Sequence, residues 1–259
     1  MRYEILGPLR VISNDAEHSL TAPKTEQLLG TLLARADQVI PSGQLAVELW
    51  NGNPPRRADA GLHVHISQLR RFLEQLTERP DAPSPVVTRN PGYLLRLGED
   101  CLDLQEFEAA MAEGRNKLRR DLHRAAAAAF ERALSLWRGP VLGGMATGPA
   151  LATLDAWVEE ARLECTELLI EAKLRLGRHR EVVSQLTSLI GEHPLREGFY
   201  QYLMLALYHC GRQAEALQVY MRARRTMIEE VGVEPGRGLR KLHEAILADA
   251  TVPTLPMAV

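Results

Sequence analysis

The chain has 259 residues, 46% of them apolar and 25% charged, with a formal net charge of −2; the length favours two domains over one, and the composition excludes disordered and collagen-like chains. No run approaches the ~18–20 uninterrupted apolar residues of a membrane span, and the N-terminal MRYEILGPLR reaches charge too early for a signal peptide, so a cytoplasmic protein without membrane attachment is expected. Cys101, Cys165 and Cys210 stand 64 and 45 residues apart, which offers neither a disulfide framework nor a CxxC metal knuckle, and they read as small buried apolar residues.

Two short β-prone pieces, 3–6 and 9–12, are split by Gly7-Pro8 and followed by the polar turn Ser13-Asn14-Asp15, which predicts a small antiparallel sheet. From Thr21 the pattern becomes helical, with Leu28, Leu29, Leu32 and Leu33 on one stripe entered through Pro23 and Lys24. A second helix fits 42–50, with Ser42 as N-cap, and Asn51 to Pro55 breaks it. A longer helix follows over 57–77, with Leu62, Ile66, Leu69, Phe72, Leu73 and Leu76 on its apolar side. After a Pro-rich loop at 79–85, the β-rich runs 86–88 and 93–97 flank Arg89-Asn90-Pro91-Gly92 and read as a hairpin. Small sheet, three helices and hairpin is the order of a winged helix-turn-helix unit. The expected fold is therefore mainly α: an N-terminal winged helix-turn-helix over 1–98, an all-α tetratricopeptide-like helical domain over 99–250, and a flexible tail over 251–259. Each of the two domains is expected to fold alone.

The helical part repeats itself. Gly177 and Gly211 are 34 residues apart, in Leu-Gly-Arg-His-Arg-Glu-Val-Val and Cys-Gly-Arg-Gln-Ala-Glu-Ala-Leu, and Val182, Leu186 and Leu189 match Ala216, Tyr220 and Ala223. A degenerate unit at Ala126, Phe130 and Ala133 lies upstream, separated by an insertion of about 22 residues around 139–148. Stacked helix pairs of this period supply a core that one pair cannot bury alone.

Nothing reads as a catalytic centre: no P-loop, GxGxxG, HExxH or GxSxG string occurs, so neither an enzyme, a cofactor nor a metal is expected. His63 and His65, two apart on a helix, do not share a metal-binding face. His179 and His193, at a loop and a helix end, read as solvated. The chemistry lies instead in charge placement. Residues 1–98 hold 11 Lys and Arg against 10 Asp and Glu, while 99–259 hold 20 against 23, and the segment 56–96 carries seven arginines against four acids. Leu62-His63-Val64-His65-Ile66-Ser67-Gln68-Leu69-Arg70-Arg71 turns His63, Ser67, Arg70 and Arg71 outward, flanked by His65 and Gln68. Imidazole, hydroxyl, amide and guanidinium groups suit a DNA major groove, and Arg89 tops a hairpin suited to the adjacent minor groove.

The run Val39-Ile40-Pro41-Ser42-Gly43-Gln44-Leu45 through Leu49-Trp50, then Val64-His65-Ile66-Ser67 with Leu69-Arg70-Arg71, and Thr88-Arg89-Asn90-Pro91-Gly92-Tyr93 resemble the DNA-binding domain of OmpR-type regulators. Leu136-Trp137-Arg138-Gly139-Pro140, Leu176-Gly177-Arg178-His179, His193-Pro194-Leu195-Arg196-Glu197, Gly211-Arg212-Gln213-Ala214-Glu215-Ala216-Leu217 and Val233-Glu234-Pro235-Gly236 resemble the bacterial transcriptional activation domain. In this order the two are similar to the Streptomyces antibiotic regulatory protein family. The resemblance implies a transcriptional activator of a secondary-metabolite gene cluster, binding direct repeats of double-stranded DNA as a homodimer and recruiting RNA polymerase holoenzyme. It implies a DNA-binding set of Lys24, Arg57, His63, His65, Ser67, Gln68, Arg70, Arg71, Arg89 and Tyr93, in which His65, Gln68 and Arg71 face bases, Arg70 and Lys24 meet phosphates, and Arg89 is the wing residue. Neither a receiver domain nor an ATPase module stands in these residues, so control by aspartyl phosphorylation or nucleotide is not expected. Two other readings stay open: a ligand-responsive regulator or repressor, and a helical-repeat protein-interaction adaptor.

Overall fold

The structure, a computed structural model, describes residues 1–77, 83–145 and 148–248; the expected tail at 251–259 and the loop positions 79–82 lie outside the described residues. Two compact units emerge, and both are discontinuous in sequence: Met1–Ala110 with Arg132–Arg162, and Met111–Glu131 with Leu163 onward.

In the first unit β1 (Arg2–Glu4) pairs antiparallel with β2 (Arg10–Ser13), and β2 with β3 (Ala16–His18). Asn14 and Asp15 both take positive φ, 53° and 58°, between the paired Ser13 and Ala16. Such a two-residue turn suits the right-handed twist of a hairpin, and it turns the expected polar loop into an unforeseen third strand. Helix α1 (Pro23–Ala34) buries Leu28, Leu29, Leu32 and Leu33, the predicted stripe. The two-residue strand β4 (Ile40–Pro41) leads into α2 (Ser42–Leu49), and α3 (Ala58–Leu76) follows. The hairpin β5 (Val86–Arg89) and β6 (Gly92–Leu95) completes a second sheet in the order β4-β6-β5. Pro41 lies opposite Gly92 in that sheet, and a Cβ on Gly92 would fall on the Ile40 carbonyl oxygen. Because that obstacle is backbone in a paired strand, Gly92→Ala is expected to cost about 2–3 kcal/mol, an overpacking penalty read as a lower thermal midpoint; an unchanged midpoint would count against this pairing.

The strand β7 (Cys101–Leu102) adds parallel to β1 and gives the first sheet the order β3-β2-β1-β7. It is followed by α4 (Asp103–Arg119), α5 (His123–Ser135), a 3-10 turn at Val141–Gly144 and α6 (Pro149–Arg175). Residues far along the chain thus close the winged unit. The Asp103 carboxylate, 1% exposed, accepts the backbone N–H groups of Ile5 and Leu6 at 2.9 Å. The backbone N–H groups of Arg138, Leu142 and Gly143 donate to the carbonyls of Leu6, Ile5 and Gly7 at 2.8, 2.9 and 3.1 Å. The Glu48 carboxylate, on a residue 2% exposed, accepts the N–H groups of Ala150 and Leu151, both at 2.9 Å, and so caps the start of α6. The expected division between 98 and 99 is therefore not where the packing divides.

The second unit contains α7 (His179–Glu192), α8 (Glu197–His209), α9 (Gln213–Val231) and α10 (Arg237–Leu247). Its core joins Val182, Leu186, Ile190, Phe199, Tyr200, Met204, Ala216, Tyr220 and Leu239. The 34-residue period is physical. Gly177 and Gly211 take φ of 74° and 76°, the left-handed turn that glycine adopts without a Cβ penalty. After them Arg178 N–H donates to Lys173 O at 3.0 Å and Arg212 N–H to Leu207 O at 2.9 Å. The ion pairs Arg178–Glu181 and Arg212–Glu215 recur at 2.7 and 2.6 Å. One expectation fails here: His179 is half-buried and stacked on His209 with ring centroids 4.6 Å apart, and burial followed by His209 holds its pKa below the usual imidazole range. The cysteines also divide. Cys165 is buried, and burial pushes its thiol up to about 12; Cys210 is half-buried, and Cys101 is exposed because it lies on the outer face of the short strand β7. Among the described residues no helix is long and apolar enough to cross a membrane, and no group of three metal-ligating side chains converges.

Candidate nucleic-acid interface

The α3 helix buries Leu62, Ile66, Leu69 and Leu73, a 4-3-4 spacing that keeps one stripe against α1 and α2. His63, Ser67, Gln68 and Arg71 are left exposed, with His65 and Arg70 half-buried along the margins. Ser67 turns its hydroxyl back to the His63 carbonyl at 2.9 Å, a local bond that leaves it a weak outward donor. Arg57 stands exposed at the N-cap of α3, and Arg89 stands exposed at the end of β5.

Three of the expected contacts are held from within. Arg70 donates from Nε to the Val86 carbonyl at 2.9 Å and from Nη2 to Thr88 Oγ1 at 2.8 Å, so it fastens α3 to the hairpin. Tyr93 is only 6% exposed; its ring lies beneath Arg70 at 6.0 Å and meets the His63 ring edge-on at 6.5 Å. Lys24 donates from Nζ to the Leu49 carbonyl at 2.6 Å, on the last residue of α2, and its ammonium sits 5.0 Å from the Trp50 ring centroid. A cation at a helix C-terminus satisfies an orphan carbonyl and opposes the negative end of the macrodipole. These three side chains shape the face and connect its parts. Sequence alone does not separate an outward arginine from one folded onto a hairpin 16 residues away.

Electrostatics separates the arginines of the first unit into two sets. Burial pushes the Glu4 carboxyl up, but hydrogen bonds from Arg2 and Arg10 outweigh it and hold it below the usual range, with Arg138 3.1 Å away. In contrast, Arg56, Arg57, Arg71 and Arg89 are exposed and meet no carboxylate or carbonyl among the described residues. Exposed cations with no partner among the described residues, beside a helix rich in amide and imidazole groups, can neutralise phosphates. Sequence alone gives no sign of one further polar residue beneath this face. Thr25, 1% exposed on α1, bonds both His65 and Gln68; a threonine in the first turn of a helix ordinarily signals only a local cap.

Residues 16–95 match the family model for the C-terminal domain of transcriptional regulatory proteins, and residues 102–247 match that of the bacterial transcriptional activator domain. The chain is 34% identical over 266 residues to the regulatory protein DnrI of Streptomyces peucetius, an alignment covering 100% of this chain and 98% of that one. It belongs to the Streptomyces antibiotic regulatory protein family. This is a family of transcriptional regulators, not of enzymes. Another similar member, the regulatory protein AfsR of Streptomyces coelicolor, is 38% identical over 267 residues, and there the chain spans only 25% of the relative's length. The solved structure of Mycobacterium tuberculosis EmbR in complex with a low affinity phosphopeptide superposes with a TM-score of 0.91 at 28% identity, covering 98% of this chain and 66% of that one. The two family matches meet between residues 95 and 102, near the division expected for this antibiotic regulatory protein, whereas its packing unit runs on through 132–162.

Proposed function

We propose that this chain is a cytoplasmic, sequence-specific DNA-binding activator of a secondary-metabolite biosynthetic gene cluster. It binds direct repeats near the promoter as a homodimer, with α3 in the major groove and the β5–β6 hairpin at the adjacent minor groove, and recruits RNA polymerase holoenzyme. The observation that carries the reading is the set of exposed arginines, Arg57, Arg71 and Arg89, without a partner among the described residues, around the exposed polar face of α3. His65, Gln68 and Arg71 read base edges, while Arg57 and Arg89 meet the backbone and the wing groove. His63 and Ser67 border the readout, and Lys24, Arg70 and Tyr93 hold its parts together.

Titration of a promoter duplex and a random duplex tests these roles. Arg71→Ala and Gln68→Ala are expected to weaken the promoter complex roughly tenfold or more and the random one little, because base contacts discriminate by about 1–3 kcal/mol. Arg57→Ala is expected to weaken both alike, and full-chain affinity to fall by ~10³ to 10⁵ between 50 and 200 mM salt if ~6 to 10 phosphates are neutralised. Inserting about half a helical turn between the repeats, ~5 bp, places the protomers on opposite sides and should abolish cooperative occupancy. A salt slope near zero would exclude duplex binding through this face and favour the adaptor reading.

A further inference from the structure

Between α1 and α3 a single buried hydroxyl serves two side chains of the readout face. Thr25 Oγ1 lies 3.0 Å from Gln68 Oε1 and 3.3 Å from His65 Nδ1, on a residue 1% exposed. A hydroxyl has one proton and two acceptor lone pairs. Its proton goes to Gln68 Oε1, so the third partner must donate: His65 carries a hydrogen on Nδ1, and in that tautomer Nε2 is the ring nitrogen left to accept. The Trp50 ring, 6.4 Å away centroid to centroid, flanks that imidazole. Gln68 is exposed; its carbonyl oxygen spends one of its two lone pairs inward on Thr25, and its NH₂ group is the part left wholly unengaged for a partner outside.

We infer that Thr25 is a positioning residue that sets the polarity of base readout, making Gln68 a donor and His65 an acceptor. The inference rests on α3 being the groove-reading helix, as proposed above. Its consequence is specific. Glutamine recognises adenine by using its oxygen for the N6 amine and its nitrogen for N7; with one lone pair of that oxygen held by Thr25, the pairing must be made by the other alone, in the orientation Thr25 imposes. Guanine offers N7 and O6, two acceptors for one NH₂, and becomes the preferred base opposite Gln68. His65 Nε2 takes a hydrogen bond from an exocyclic amine, N4 of cytosine or N6 of adenine. Because one proton links the two side chains, turning the Gln68 amide around would reverse both polarities together.

Selection of bound duplexes from a randomised pool by the full-length chain tests this. The base position read by Gln68 is the one whose preference disappears in Gln68→Ala. At that position the intact chain is expected to favour guanine over adenine by roughly tenfold. Thr25→Val, which keeps the side-chain shape and removes the hydroxyl, is expected to shift that one position toward adenine by at least about fivefold and leave the others unchanged, and Thr25→Ser to restore guanine. A measurement independent of any buried substitution uses 7-deazaguanine at the same position, which should weaken the intact chain and leave Gln68→Ala unaffected. Adenine preferred by the intact chain, a loss in Thr25→Val spread evenly over all positions, or indifference to 7-deazaguanine would overturn the inference while leaving α3 as the reader. Absence of any sequence-selective binding by the intact chain would instead overturn the proposed function, and this inference with it.

Discussion

A chain ending at residue 98 is expected to lose the cooperative thermal transition of the winged unit. Truncation there removes the Asp103 carboxylate from the N–H groups of Ile5 and Leu6, the β7 strand from β1, and the three backbone bonds that Arg138, Leu142 and Gly143 make to residues 5–7. It also strips Leu142 from the surface of α1, where its methyl groups stand 3.1–3.2 Å from the Cβ position of Gly30. Each neutral bond contributes about 0.5–1.5 kcal/mol and each bond to a charged group about 1.5–3. Their combined loss is comparable with the whole stability of a domain, ~5–15 kcal/mol. Near-ultraviolet circular dichroism on heating is the check; a fragment 1–98 that melts cooperatively within a few degrees of the intact chain would show that residues 132–162 only decorate the unit.

Replacing Glu48 by alanine should destabilise the intact chain by about 3–4 kcal/mol, since one buried and one half-buried N–H group at a helix N-terminus lose a charged acceptor together. No water replaces that acceptor easily at a residue 2% exposed. Glu48→Gln keeps one oxygen but turns an NH₂ toward the other N–H, and should recover no more than half of the loss. Denaturant unfolding reads this as a lower midpoint at unchanged slope. A change below about 0.5 kcal/mol, the range of ordinary surface substitutions, would mean that the α6 terminus is satisfied by other means.

The elements legible beforehand are those whose periodicity is long enough to average over. Leu62, Ile66, Leu69 and Leu73 declare the buried side of α3, and the paired glycines with their 34-residue spacing declare the helix pairs, because in both cases local geometry and burial demand the same residues. The strands β3, β4 and β7 carry two or three residues each and have no period to read. Glu48 was hidden for a different reason. An acid inside an amphipathic helix looks like part of its solvated face until a segment about 100 residues later brings a helix terminus to it. Likewise 139–148 appeared as an interruption of the repeat, although its N–H groups complete the edge of residues 5–7. On the candidate interface the exposed residue types were legible and their orientations were not. His65 and Gln68 stand on the face expected of them, but what they present depends on a threonine 40 and 43 positions earlier. Arg70 and Tyr93 carry the chemistry of contact residues and are occupied in packing the hairpin onto α3.

The late closure of the winged unit orders events during synthesis. The bond from Arg138 to the Pro8 carbonyl spans 130 positions, and the Glu48 cap on Leu151 spans 103. At about 5–20 residues per second, the ribosome needs roughly 3–13 s after adding residue 98 to reach residue 162. Throughout that interval the helix-turn-helix is present in sequence but open along one edge, with the Ile5–Gly7 carbonyls and the Glu48 carboxylate waiting for their partners. A nascent or prematurely terminated product therefore lacks a finished winged unit, and under the proposed function promoter occupancy is reserved for chains whose translation has passed the start of α6.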